Sequence, residues 1–252
     1  MMTPLDMALP GSLAVFLVLG ITWWVMRTEV HRRETTFLVS CAVVGGALAG
    51  VISRLVLAAV LAALATGEMG ETMAGAVLIL GIITVAVVEE GMKTGGVALF
   101  HRHLDEMENG IVYGIATGCG FALTGIMLMP FISDTAAEGS LPELLLTIPV
   151  IAVVQTVTGG MVGLGLARAL FPGGKNRWKA PMLFFFSAVL LHVLLISALT
   201  ARQVLNPDPA ISLVLSGMVL LCGGLSVGLL VWLDRRVRLY DIGGMVRGKA
   251  LR

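Results

Sequence analysis

Val85-Ala86-Val87-Val88-Glu89-Glu90-Gly91-Met92-Lys93 sets two adjacent glutamates and a lysine in a stretch that is otherwise uncharged from Gly75 to Phe100. A carboxylate near the centre of a bilayer costs roughly 3 kcal/mol on insertion scales. Two in succession therefore point to a functional site. On a helix Lys93 lies three residues from Glu90 and four from Glu89, so it can pair with one of them. Arg54 is the other cation inside an apolar run, and His192 and Gln155 sit in the middle of two more. A carboxylate in a water-filled membrane cavity can act as general base toward water. A histidine can then polarise the bond under attack. The same residues allow two other readings: a closed Glu–Lys–Arg network that fixes helix register, and a proton path through Glu89, Glu90 and His192. Zinc is the cofactor to weigh. A catalytic zinc takes three protein ligands and a water, whereas here one histidine and the glutamates stand with Gln155 as a poor substitute. A serine triad is not suggested, since Ser187 and Ser197 have no intramembrane aspartate to complete it.

The elements that must position these groups are membrane helices. Apolar residues make up 57% of the 252, charged residues only 13%, and mean hydropathy is +0.95. A soluble domain carries about 25% charged residues. Seven spans are expected, at 8–26, 36–65, 73–100, 110–131, 144–167, 181–201 and 210–233, in one membrane domain over 1–252 with no soluble domain. At about 1.5 Å per residue, Arg54 falls roughly 18 Å from the outer end of its span. Glu90 falls about 15 Å from the inner end of its own, so the two can meet near mid-depth.

The loop cations orient the bundle. Fourteen Lys and Arg lie in the first, third and fifth connections and the C-terminal tail, against Arg202 alone on the other side. The positive-inside rule then puts the N-terminus outside and the C-terminus in the cytoplasm. The first span reads as a retained anchor, because its arginines follow the apolar run instead of preceding it. Cys41, Cys119 and Cys222 are far apart in apolar segments, which suggests small buried side chains and no disulfide framework. A turn is expected at Pro172-Gly173-Gly174 and an extended connector at Asn206-Pro207-Asp208-Pro209. The net charge of +1 gives no reason to expect nucleic acid. Glycines recur at helix-contact spacing: Gly110, Gly114 and Gly118, and the pairs Gly46/Gly50, Gly91/Gly95, Gly159/Gly163 and Gly224/Gly228. Such ridges let backbones approach closely. No internal repeat is evident, which counts against a transporter built from two related halves.

Glu89-Glu90-Gly91-Met92-Lys93 resembles the EExxK motif of PrsW-type intramembrane proteases, which group with CAAX prenyl endopeptidases carrying EExxR. Glu108-Asn109-Gly110-Ile111-Val112-Tyr113-Gly114 resembles the DGIVYG entry to their next helix, and Gly118-Cys119-Gly120-Phe121-Ala122 their GxGFA. The resemblance covers about 80–200. It implies a water-activating Glu89, with Glu90 sharing or orienting its proton, Lys93 holding the pair and His192 polarising a substrate carbonyl. Three positions depart from the pattern: Gly125 where a glutamate or histidine is usual, Gln155 where a histidine is expected, and Ile196 in place of an Asp or Asn four residues after His192. The superfamily also includes a non-proteolytic scaffold subunit of gamma-secretase.

The expectation is thus an all-α polytopic membrane protein of seven spans. It is read as an intramembrane peptidase acting on membrane-embedded or membrane-proximal protein segments, with Arg54, Lys93 and Gln155 in support. Its partners would be such a substrate and the lipid bilayer, and the resemblance suggests a prokaryotic plasma membrane. An inactive, substrate-binding scaffold is the alternative, and a proton-coupled transporter the third.

Overall fold

The computed structural model describes residues 4–28, 35–65, 71–104, 106–132, 141–170, 179–204 and 208–250. They form seven α-helices: α1 (Pro4–Thr28), α2 (Thr36–Ala65), α3 (Glu71–Ala98), α4 (Met107–Ile132), α5 (Leu141–Leu170), α6 (Lys179–Val204) and α7 (Pro209–Ala250). A 3-10 turn at His101–His103 precedes α4. All seven helices are long and apolar enough to cross a membrane, and no strand occurs among the described residues. The turn expected at 172–174, the first half of the connector at 206–209, the loop 133–140 and residues Arg32 and Arg33 lie outside the described residues.

Local chemistry sets several helix boundaries. Thr35 Oγ1 accepts from Leu38 N at 3.3 Å at the start of α2. Asp208 Oδ1 accepts from Ile211 N at 2.9 Å, with Pro209 in the first turn of α7. Both are N-cap arrangements that satisfy an otherwise orphaned amide, and proline suits the first helical position. Within the spans, Thr22, Thr156 and Ser226 return their hydroxyls to the carbonyl four residues earlier. That satisfies a polar group where no water is at hand. Beyond the span expected to end at 233, α7 continues to Ala250. Hydropathy marks where a span leaves the apolar layer, not where its helix stops.

The spans of α4 and α5 are mostly buried, whereas few residues of the α3 and α7 spans are. The central pair is set by glycine. A Cβ on Gly110 would stand 2.6 Å from the Gly163 carbonyl oxygen, and one on Gly118 2.5 Å from that of Gln155. One on Gly114 would overlap the Gly159 carbonyl. On the other side of α4, Gly46 and Gly50 of α2 meet Thr117 and Thr124. The expected ridges at Gly91/Gly95 and Gly224/Gly228 are different: a Cβ there meets nothing within 4 Å. Spacing alone puts small residues on one face but does not say what that face meets. Arg202 of α6 is ion-paired with Glu143 at the start of α5, which ties those two helix ends together.

Close backbone contact makes Gly114 intolerant of a side chain. Overpacking a tight interior costs about 1–3 kcal/mol, and here the obstacle is backbone. Gly114→Leu is expected to lower the thermal unfolding midpoint in detergent well below wild type. Gly81→Leu, at a position with nothing within 4 Å, should leave it within a degree or two. Equal midpoints for the two variants would show that the ridge carries no packing.

Candidate functional site

Six residues singled out by type and spacing come from four helices to one buried cluster. Arg54 belongs to α2, Glu89, Glu90 and Lys93 to α3, Gln155 to α5 and His192 to α6. Glu89, Glu90 and Lys93 are at most 1% exposed. They lie where α3 turns from its exposed half into the bundle, since no described residue between Gly75 and Val85 is buried.

Each carboxylate has its own cation. Lys93 Nζ stands 2.6 Å from Glu90 Oε1, and Arg54 Nη1 stands 3.0 Å from Glu89 Oε1. The second contact is an ion pair without hydrogen-bond alignment, because Glu89 Oε1 has no hydrogen-bond donor among the described residues. Lys93 also donates to Thr158 Oγ1 at 2.6 Å and lies 5.2 Å from the centre of the Phe121 ring. A desolvated ammonium over an aromatic face gains cation–π attraction. The phenylalanine of the Gly118–Ala122 segment thus covers the lysine.

His192 is held between the two acids. Its Nδ1 lies 3.0 Å from Glu90 Oε1 and its Nε2 3.2 Å from Glu89 Oε2. Gln155 Nε2 reaches both Glu89 Oε2, at 2.9 Å, and His192 Nε2, at 3.1 Å. An amide nitrogen carries two hydrogens and no acceptor. One can go to Glu89 and the other to the imidazole, which makes His192 Nε2 an acceptor and leaves the proton on Nδ1 to donate to Glu90. This tautomer goes with the Gln155 amide nitrogen pointing inward. Gln155 therefore joins the site as a double donor, although histidine is the expected residue there. Gly125 lies at the edge of the cluster: its Cβ position is 3.4 Å from Arg54 Nη2.

With Glu89 and Glu90 ionised, Arg54 and Lys93 charged and His192 neutral, the cluster has no net charge. Its remaining capacity is to accept. Glu89 Oε1, Glu90 Oε2 and Gln155 Oε1 are buried with no hydrogen-bond donor among the described residues. Arg54 is the exposed member, its side chain 25% accessible. Glu89 Oε1 is therefore placed to accept from a donor such as water, beside the Arg54 guanidinium.

A zinc ion fits this donor set poorly. Both carboxylates already face a cation, both imidazole nitrogens face groups within the cluster, and Gln155 points its amide nitrogen inward. Among the described residues no three of His, Cys, Asp and Glu are arranged to hold a metal.

Thr158 escaped the sequence reading. Its only signal was position, three residues after Gln155 and so on the same face of α5. The cysteines are free; Cys119 and Cys222 are buried and Cys41 half-buried. A family model described as PrsW family intramembrane metalloprotease matches residues 34–222. Comparison with curated proteins finds no match, and comparison with solved structures finds none.

Proposed function

This chain belongs to the PrsW family of intramembrane metalloproteases, and from that premise we propose that it is an intramembrane peptidase that uses Glu89 as general base on water. Seven apolar helices and this family make it an integral membrane protein. The substrate class is a membrane-embedded or membrane-proximal protein segment, and the setting a prokaryotic plasma membrane with the basic tail inside. The observation that carries the reading is the Glu89 carboxylate, buried and with one oxygen that accepts no hydrogen bond among the described residues, next to the partly accessible Arg54 side chain.

The step runs through this chain's own residues. Water donates to Glu89, its oxygen bonds to the scissile carbonyl carbon, and Glu89 takes the proton. The oxyanion that forms is received by Arg54. The C–N bond then breaks, and Glu89 returns the proton to the leaving amine. Sequence reasoning gave the carbonyl to His192, but both ring nitrogens of that residue face the cluster. We therefore assign the oxyanion to Arg54, whose guanidinium has five N–H donors. His192 keeps a positioning role, linking Glu90 to the Gln155 amide that orients Glu89. Lys93 fixes Glu90, and through it the imidazole. The metal in the family's description has no step in this scheme, because the donor set does not fit one.

Cleavage of a membrane peptide by the protein in liposomes tests the scheme. Activity is expected to survive 1,10-phenanthroline, and Arg54→Gln is expected to lower kcat about 100–1000-fold, the usual effect of losing an oxyanion donor. Inhibition by the chelator that zinc reverses would overturn the metal-free scheme. An Arg54→Gln enzyme with wild-type kcat would remove Arg54 from it.

One observation favours a second reading. Every charge of the cluster is paired internally, as a network that only fixes helix register would require. In that case the chain is a scaffold that binds membrane segments without cutting them.

A further inference from the structure

Glu89, Gln155 and His192 close a small triangle inside the cluster. Gln155 Nε2 stands 2.9 Å from Glu89 Oε2 and 3.1 Å from His192 Nε2. The third side, from His192 Nε2 to Glu89 Oε2, is 3.2 Å. A zinc ion holds nitrogen and oxygen ligands at about 2.0–2.2 Å in a tetrahedron, which sets neighbouring ligand atoms about 3.3 Å apart. The three corners thus have nearly the spacing of one face of such a site, and each comes from a different helix: α3, α5 and α6.

Two of the corners have the chemistry as well as the spacing. Arg54 pairs with Oε1 of Glu89, which leaves Oε2 to Gln155 and His192. The imidazole turns Nε2 into the triangle and keeps Nδ1 on Glu90 Oε1, 3.0 Å away. A metal-bound histidine usually donates its far nitrogen to a carboxylate or a carbonyl, which fixes its ring and its tautomer. Glu90 already supplies that carboxylate, and Lys93 holds Glu90 in turn at 2.6 Å.

The third corner has the wrong end of an amide. A nitrogen that carries two hydrogens offers no lone pair, and it faces both atoms that would otherwise be ligands. Turning the amide over would set its oxygen against Glu89 Oε2, acceptor against acceptor. It would also forfeit the bond to the carboxylate, and an unmade hydrogen bond is costly in a buried site. The amide therefore does without a cation what a cation would do. It ties Glu89 of α3 to His192 of α6 from its own place on α5.

We infer that Gln155 is the residue that keeps this centre free of divalent metal: its amide nitrogen fills the corner at which a third ligand would complete a zinc site with Glu89 and His192. This role rests on the metal-free part of the proposed chemistry, not on peptide cleavage. A lone pair at position 155 should then be enough to turn the hydrogen-bonded triangle into a metal site.

The zinc content of the purified full-length protein, dialysed against zinc sulfate and then against metal-free buffer, tests it. Wild type is expected to retain none. Gln155→His brings a ring nitrogen to a similar reach, and Gln155→Glu keeps the shape of the glutamine while an oxygen replaces its amide nitrogen. Each variant is expected to retain about one zinc per chain, held by three protein ligands. Zinc should also raise the thermal unfolding midpoint of each variant and leave that of wild type unchanged, because a ligand stabilises only the state that binds it. His192→Ala in either background should abolish retention, which separates this site from adventitious zinc on the free cysteines. Zinc retained by wild type and lost on His192→Ala would overturn both the role of Gln155 and the metal-free scheme. Absence of zinc from wild type and from both folded variants would overturn the role of Gln155 alone. So would zinc on the variants that survives His192→Ala.

Discussion

Glu89→Gln is expected to abolish cleavage of a membrane peptide while leaving the protein folded. The substitution keeps the shape of the side chain and removes its basicity. General-base catalysis typically contributes 100- to 10,000-fold, so the residual rate should fall below detection in most assays. The variant also places an amide opposite Arg54 and Gln155, both donors, where the carboxylate accepted from Gln155 at 2.9 Å. Some stability is therefore lost too, and the comparison must be made on folded, monodisperse protein. Glu89→Asp separates the two effects: it keeps a carboxylate but draws it back by one methylene, and should retain a small fraction of activity. The measurement is turnover in liposomes, with thermal unfolding of each variant alongside. Cleavage that persists in Glu89→Gln would remove Glu89 from the role of base. In a cell that needs this protein, equal phenotypes for wild type and Glu89→Gln would support the scaffold.

The cluster was legible because charge inside an apolar run is costly enough to be informative wherever it occurs. Glu89, Glu90, Lys93 and Arg54 announce themselves in this way, and depth counted along each helix already brought Arg54 and Glu90 to the same level. The seven spans were legible for the same reason: about 20 apolar residues in succession have few alternatives. The α4 ridge at Gly110, Gly114 and Gly118 could be read because three repeats leave little else for that face to do. Contacts set by partners were harder to read. Gly91/Gly95 has the same spacing as Gly159/Gly163 but faces open space, because spacing is a property of one helix and contact a property of two. Gln155 was placed in support of the site, as a poor substitute for the histidine expected there. Only the positions of Glu89 and His192 around it reveal a residue that spends both amide hydrogens on the site. The direction in which His192 faces could not be read at all, since a residue type does not state where its ring points.

Lys93→Met is expected to be among the most destabilising single changes in the chain. Lys93 is fully buried, and its ammonium holds Glu90 Oε1 and Thr158 Oγ1, each at 2.6 Å, under the Phe121 ring. Without it, Glu90 keeps only the His192 Nδ1 contact at 3.0 Å and stands as an uncompensated buried charge. Breaking such a pair by removing one partner costs about 3–5 kcal/mol. Lys93→Arg should not restore the loss, because a planar guanidinium does not fit the space of a compact ammonium. Replacing both partners is different. Lys93→Met with Glu90→Leu removes the charge along with its counterion, and an apolar pair of similar volume is often neutral or better. The double variant should therefore be more stable than Lys93→Met alone, and the cycle should show a coupling of about 0.5–3 kcal/mol, as for residues in one network. Thermal unfolding in detergent measures it, and strictly additive losses would mean that the two groups do not act as a pair. The same double variant separates the two functional readings. If the cluster only fixes helix register, recovery of stability should bring recovery of function in the cell. If Glu90 orients His192 for catalysis, the rescued protein should be folded and inactive.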